Sequence, residues 1–508
     1  MYYFNRLVDQ FGGGEDVFVC ILLGFALLLA NSFIKNNKKR FVTSTISSLF
    51  LTAEVFSLYL TQTFIGYQFY LHTNLRGIKG MESLFVLQIV ITVLLFIGLV
   101  VLFQSAHFLW IKFKQRIKKS DKIYRNRKIL MISLVLIHVV HGRFIKDTST
   151  LLPILAADNS GNFNDVLAKH GMSDYVTPKN LKCTVGKNII AISMESLENG
   201  FLHEKYAAIN GNLRKLKENW NFVQMSQNVG SNWTSGSLYT SLTGFPAYFG
   251  VYGNSIFQTA YHSNISSVSH TLKKAGYQLT YINGNADGGG VKEMLGILQF
   301  DKIIDKKNAP KTEFESKFGL RDKEVFSAAK AELKRLSESK QPFGLFISTT
   351  DTHFPDGFYD ERMEAVISKQ KSNFEFTIAT LNYLVGDFMD FIEQNNLEEN
   401  TVLFLYPDHL KMGNPSLLEG TGNRSLYVIT NSNNIKLNNK YNYQIDLPKI
   451  LLQGAEVEHN MKFLTDYLPS DKDQYIRDNT LSLTEINTNG IVNSEIEPLT
   501  VVDSTQSH

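Results

Sequence analysis

Residues 188–198 read NIIAISMESLE, an Ile-rich run, Asn188–Met194, that ends in Glu195-Ser196-Leu197-Glu198. A short apolar, β-branched run bounded by polar residues predicts a buried strand. Four more runs of this kind follow: Gln278–Ile282 (QLTYI), Phe343–Ser348 (FGLFIS), Thr401–Tyr406 (TVLFLY) and Ser425–Ile429 (SLYVI). Helical patterns lie between them, at Ser266–Ala275, Asp322–Ser339 and Phe374–Asn395. Continuous apolar strands alternating with helices predict an α/β domain, residues 185–470, with a central, largely parallel sheet.

Open α/β sheets gather their sites at the carboxyl ends of the strands. The first run delivers Glu195 there, the third Thr349-Thr350-Asp351-Thr352-His353, and the fourth Pro407-Asp408-His409. Taken singly, a Glu after a strand is usually a cap, and an Asp-His pair a turn with a bonded imidazole. Together they are oxygen and nitrogen donors suited to one divalent cation. The segment 231–246, SNWTSGSLYTSLTGFP, reads as a loop entering a short helix, with Thr234 at or near the N-cap. There the free backbone amides favour an anion such as phosphate. A threonine hydroxyl is a poor nucleophile at its own pKa. A cation held by Glu195, Asp408 and His409 would stabilise its alkoxide.

The other half of the chain differs in kind. Overall the 508 residues carry a net charge of +3. That figure is a cancellation: residues 1–150 hold 18 Lys and Arg against 7 Asp and Glu, net +11, and the remainder is net −8. Apolar runs at 17–34, 41–62, 84–110 and 129–145 predict four membrane spans, the last the shortest. Lys35, Lys38, Lys39 and Arg40 follow the first, and nine Lys and Arg separate the third from the fourth, whereas the loop between the second and third has only Arg76 and Lys79. Both basic loops are therefore expected in the cytoplasm, with the N-terminus and everything beyond residue 150 outside. Their flanking spans make lipid headgroups the expected partner, not nucleic acid. Arg6 among Asp9, Glu15 and Asp16 is the wrong charge for a cleaved signal peptide. Residues 151–184 are read as a linker and 471–508, rich in Asn, Ser and Thr, as a flexible polar tail.

The strings NIIAISMESLENG, SNWTSGSLYTSLTGFP, STTDTHFPDGF and LYPDHLKMGN, in that order, resemble the membrane-bound phosphoglycerol transferases of the alkaline phosphatase/sulfatase superfamily, with lipoteichoic acid synthases as cousins. The resemblance covers roughly residues 185–465. It implies a multi-pass protein of a bacterial cell (inner) membrane with a sulfatase-like catalytic domain outside. Glu195, Thr234, Asp408 and His409 would bind the metal, expected as manganese, with magnesium or zinc as alternatives. Thr234 would also be the nucleophile, carrying a phosphoglycerol-threonine intermediate, and His353 would contact the transferred phosphate or leaving group. Phosphatidylglycerol would be the donor and a cell-envelope glycan the acceptor. Trp233, Asp351, Lys292 and Lys411, which flank these positions, are expected substrate contacts. One departure stands out. Lipoteichoic acid synthases carry a His and an Arg after the strand matching Gln278–Ile282, where this chain has Asn283-Gly-Asn-Ala-Asp-Gly-Gly-Gly290 and only Lys292 nearby. That glycine-rich stretch lacks the spacing of a P-loop.

The two cysteines, Cys20 and Cys183, exclude a disulfide-dense scaffold, and neither lies in the C/S-x-P-x-R context of a true sulfatase. Phosphoethanolamine transferases, acting on lipooligosaccharide or capsule, share the threonine and the anchor but usually carry several external cysteines. They are the alternative among enzymes. A catalytically retired, membrane-tethered glycan-binding module is the alternative outside them.

Overall fold

The structure, a computed structural model, describes residues 14–61, 63–73, 86–116, 120–142, 144–309, 319–354, 356–412, 415–435 and 443–492. Arg76, Lys79, Arg143 and the segment 493–508 lie outside the described residues. The chain forms two compact units: residues up to Pro153 with Met412–Gly420, and Ile154–Lys411 with the chain from Thr421 onward.

In the first unit, helices Gly14–Ser32, Asn37–Thr61, Val86–Arg116 and Ser120–His141 pack together. Among the described residues, three stretches are long and apolar enough to cross a membrane: Glu15–Ser32, Asn37–Tyr59 and Ile89–Phe113. The fourth expected span, 129–145, is not among them. Its apolar part, Lys128–Val140, is shorter than a span, and the helix that carries it ends at His141. Ser44, Ser48, Ser57 and Thr61 are buried along Asn37–Thr61, small polar residues that let helix backbones approach closely. Ile89, Leu94, Ile97 and Val101 face outward on the third spanning helix, as lipid contact requires. Arg40 is buried and closes the end of the first helix, donating to the Ile34 carbonyl at 2.9 Å and lying 4.9 Å over the Phe108 ring.

The second unit is built on a seven-stranded sheet: β1 (Asn188–Met194), β2 (Asn221–Met225), β3 (Gln278–Ile282), β4 (Lys302–Ile304), β5 (Phe343–Ser348), β6 (Thr401–Pro407) and β7 (Leu426–Thr430), in the order β2-β7-β6-β1-β5-β3-β4. Every residue of β5, β6 and β7 is buried, because helices cover both faces of a parallel sheet. β7 alone runs against its neighbours β2 and β6. The edge strands β2 and β4 were not foreseen. β4 is three residues long, and β2 (NFVQM) is only partly buried, so neither carries a continuous apolar run.

Two boundaries differ from expectation. The expected linker contains the helix Phe163–Lys169, and from Ile154 onward it belongs to this unit. The expected tail is, as far as Val492, two helices, Lys472–Asp478 and Thr480–Val492, and the second is largely buried. Its polar residues satisfy backbone groups of the core. Asn487 Nδ2 donates to the Pro246 and Tyr248 carbonyls at 2.7 and 3.1 Å, its Oδ1 accepts from Tyr239, and Asn489 bonds Gly161 N and the Asp158 carbonyl. A composition that normally signals solvation here serves buried hydrogen bonding.

Candidate active site

The sheet order places β1 between β6 and β5, and the register brings their ends level. Met194 is opposite Pro407, and Ser193 is opposite Ser348. Glu195 therefore emerges beside Asp408, and Thr349 N donates to the Ser193 carbonyl at 3.0 Å. The strand ends thereby gather three buried side chains. Ligand atoms of Glu195, Asp408 and His409 all lie within 4.8 Å of one another. His409 Nε2 is 3.5 Å from both Glu195 Oε1 and Asp408 Oδ2.

Thr234 completes the cluster. It is the first residue of the helix Thr234–Thr243, just after Trp233 in extended conformation, and no side chain caps that helix. Its hydroxyl instead donates to Glu195 Oε2 at 3.1 Å and lies 3.5 Å from His409 Nε2. The capping role is thus set aside in favour of contact with the acid and imidazole. The amides of this first turn have no intrahelical acceptors.

Each ligand is oriented from behind. Asp408 Oδ1 accepts the backbone N–H groups of Ser196 and His409, at 2.8 and 2.7 Å, which leaves Oδ2 toward His409. The Ser196 hydroxyl donates to Glu195 Oε1 at 2.8 Å. His409 Nδ1 lies 2.9 Å from the Leu410 carbonyl, which can only accept, so Nδ1 carries a proton and Nε2 presents a lone pair whenever the ring is neutral. Ser237 and Gln444 both donate to the Asp408 carbonyl. Thr349 Oγ1 accepts from Glu195 N, and Thr352 donates to the Glu195 carbonyl. Ser196 holds φ at 54°, a left-handed conformation costly for a serine, and this strain sits directly on the turn after Glu195.

Two carboxylates, an imidazole and a hydroxyl fit a divalent cation in donor type and in spacing. Burial, and next the charge of Glu195, push the Asp408 carboxyl well above the usual range. Burial also opposes ionisation of Glu195, but the His409 and His353 imidazoles and the Ser196 hydroxyl outweigh it and hold that carboxyl low. Two buried acids of which one resists ionisation form a set that a cation would complete.

The remaining expected residues are placed differently. His353 is exposed, close enough to act electrostatically on Glu195, and stacks on Phe358 with centroids 5.8 Å apart. Its Nδ1 lies 2.7 Å from the Phe354 carbonyl. Lys411 is buried 3.8 Å over the Phe374 ring, and burial brings its ammonium down to about 7. Trp233 is corrected from a substrate contact to a packing residue. It is buried, and a side chain at Gly236 would stand 2.4 Å from its ring. Asp351 is likewise corrected: it is buried in an ion pair with Arg321 at 3.1 Å that ties down the loop carrying His353. Lys292 is exposed on the helix Val291–Ile297.

The sequence reading also missed Glu198. Fully buried, it receives Arg424 Nε at 2.9 Å and Nη2 at 2.5 Å, together with the Lys411 amide at 2.9 Å. It thereby pins the segment just after His409. Its position three residues beyond Glu195, in the same turn, was the available signal.

Phosphoglycerol transferase I of Escherichia coli O127:H6 is 26% identical over 242 residues, 45% of this chain and 31% of that protein. That of Citrobacter koseri is 27% identical over 238 residues, with the same coverage. The chain thus spans about a third of the length of these curated relatives. Among solved structures, lipoteichoic acid synthase LtaP from Listeria monocytogenes superposes with a TM-score of 0.46 at 15% identity, covering 60% of this chain and 79% of that one. Streptococcus pyogenes phosphoglycerol transferase GacH, in complex with sn-glycerol-1-phosphate, gives 0.43 at 14% identity, covering 67% and 95%. The sulfatase family profile matches residues 187–457, more than half of the chain and the whole of the sheet and site just described, so this protein belongs to the sulfatase family.

Proposed function

We propose that this protein is a membrane-anchored phosphotransferase that moves glycerol phosphate from phosphatidylglycerol, through a phosphothreonine at Thr234, to a hydroxyl of a cell-envelope glycan outside a bacterial inner membrane. The observation that carries the reading is the Thr234 hydroxyl, held at the start of a helix 3.1 Å from Glu195 and 3.5 Å from His409. The naming of the E. coli and C. koseri relatives supports glycerol phosphate as the transferred group.

In this mechanism Glu195 Oε2 draws the Thr234 proton, and Thr234 Oγ1 attacks phosphorus. The bond from phosphorus to the diacylglycerol oxygen breaks. The amides of the first helical turn face the phosphoryl oxygens, where a helix N-terminus favours negative charge. Protonated His353 gives its Nε2 proton to the departing diacylglycerol oxygen. In the second half-reaction the same nitrogen takes the proton of the glycan hydroxyl that attacks the phosphothreonine, and Thr234 leaves with its proton restored. Glu195, Asp408 and His409, with the Thr234 oxygen, would hold a divalent cation, proposed as manganese, which would supply Lewis-acid stabilisation of the alkoxide and the phosphoryl charge.

The test is diacylglycerol release by the full-length protein in phosphatidylglycerol vesicles with a divalent cation. Thr234→Ala should lose ~10³-fold or more in turnover without change in melting temperature. Equal release by wild type and variant would overturn the mechanism. Protease accessibility of residues beyond 150 in intact, sealed cells tests the outward orientation.

A further inference from the structure

Ser235, the residue after the proposed nucleophile, has its hydroxyl oxygen engaged by two N–H donors: Trp233 Nε1 at 3.1 Å and Asn254 Nδ2 at 3.2 Å. A serine oxygen has two lone pairs and one proton. With both lone pairs engaged, that proton is available to an acceptor outside the trio. Asn254 is 8% exposed, and its Oδ1 has no hydrogen-bond partner among the described residues. Exchanging the amide nitrogen and oxygen lets Ser235 donate to Asn254 but frees both amide protons, so either orientation leaves a spare donor beside Thr234.

The backbone that closes over this pair is glycine by necessity. Gly289 has φ 61°, and a Cβ there would stand 3.3 Å from Ser235 Oγ. Gly290 has φ 71°, and its Cβ would stand 2.6 Å from the Asn254 carbonyl oxygen. These glycines follow the carboxyl end of β3, which neighbours β5 in the sheet, so they belong to the same edge as Glu195 and the His353 loop. The wall they form is uncharged. Asp287, the acid of that stretch, is paired with Lys307 at 2.7 Å. Spare neutral donors with a spare amide oxygen suit an alcohol, which both donates and accepts. An ammonium group would need a free carboxylate.

We infer that Ser235 and Asn254, walled by Gly289 and Gly290, form the subsite for the uncharged polyol of the headgroup whose phosphate reacts at Thr234. This rests on the transferase reading above and adds the residues that select a glycerol-type diol over an ethanolamine. The test compares diacylglycerol release from phosphatidylglycerol and phosphatidylethanolamine vesicles by wild type, Ser235→Ala, Asn254→Ala and Asn254→Asp. Wild type should favour phosphatidylglycerol. Each alanine variant should raise its KM by ~5–10-fold with kcat nearly unchanged, the size of one lost neutral hydrogen bond. Asn254→Asp, nearly isosteric, should shift the ratio of kcat/KM toward phosphatidylethanolamine by ~10-fold. Ser235→Thr, which keeps the hydroxyl, should restore the low KM, and this variant and Asn254→Asp carry the test if the alanine variants melt early. A donor ratio unmoved in all variants, or a wild type that prefers phosphatidylethanolamine, overturns the subsite while leaving phosphotransfer intact. Release from neither lipid by wild type overturns the transferase reading and the subsite with it.

Discussion

Each unit of this protein buries a carboxylate beside an imidazole, and the two clusters are built in opposite ways. In the N-terminal unit Glu54 is fully buried, 3.4 Å from His138 Nε2 and 4.0 Å from the Cys20 thiol, and all three residues stand on helices. In the catalytic unit Glu195, Asp408 and His409 stand at strand ends, where Ser196 N and His409 N donate to Asp408 and the Ser196 hydroxyl donates to Glu195. Helix backbone amides are consumed within the helix, so a carboxylate there can be met only by side chains. A strand end opens into a loop whose amides are free to fix each oxygen separately. The membrane pair can hold helices together, as polar groups between spanning helices do. The strand-end cluster can hold ligand atoms aimed at one point, which is what a metal-dependent transfer needs.

The sharpest way to break this contrast is Asp408→Asn. It removes one carboxylate of the proposed metal site, whose Oδ1 is already held by two backbone amides, and should lower both bound divalent metal, measured by mass spectrometry, and diacylglycerol release by ~100-fold or more. Retained metal and turnover would show that the cluster is only a buried hydrogen-bond network. Chelation of the wild type should mimic this loss and lower the melting temperature, since a cation bound only to the native state at 100 times its Kd contributes ~2.7 kcal/mol.

Arg424→Met tests the support around the cluster. It strands Glu198 as a buried charge, and because Arg424 is itself part exposed the expected cost is roughly 2–3 kcal/mol, below the range for fully buried pairs. Denaturant unfolding of the full chain in detergent should show the loss, with turnover falling because the segment after His409 loosens. An unchanged midpoint would mean the pair contributes nothing net. Glu54→Gln should have the smallest effect. The amide still reaches His138, so stability should fall by ~1 kcal/mol and metal content and turnover should stay within about twofold. A collapse of turnover with metal still bound would erase the contrast, by showing that the membrane cluster acts on catalysis.

Much of the catalytic unit was legible in the sequence because its signals are local. Five strands announce themselves by apolar runs, since a sheet covered on both faces leaves few polar positions within a strand. The anchor is legible for the same reason, in hydrophobic length. The donor types at Glu195, His353, Asp408 and His409 could be read because a strand end is a fixed place in this class of fold. What required the tertiary structure is everything that depends on which segments become neighbours. The order β6-β1-β5 and the pairing of Met194 with Pro407 bring Glu195 beside Asp408 across more than 200 residues of chain. The same kind of long-range contact makes Asp351 the partner of Arg321, an ion pair that no local pattern announces. Such contacts also turn an Asn- and Thr-rich C-terminal stretch into a buried helix. A polar side chain declares its chemistry in sequence, but whether it meets solvent, backbone or substrate is decided by the partner that folding brings to it.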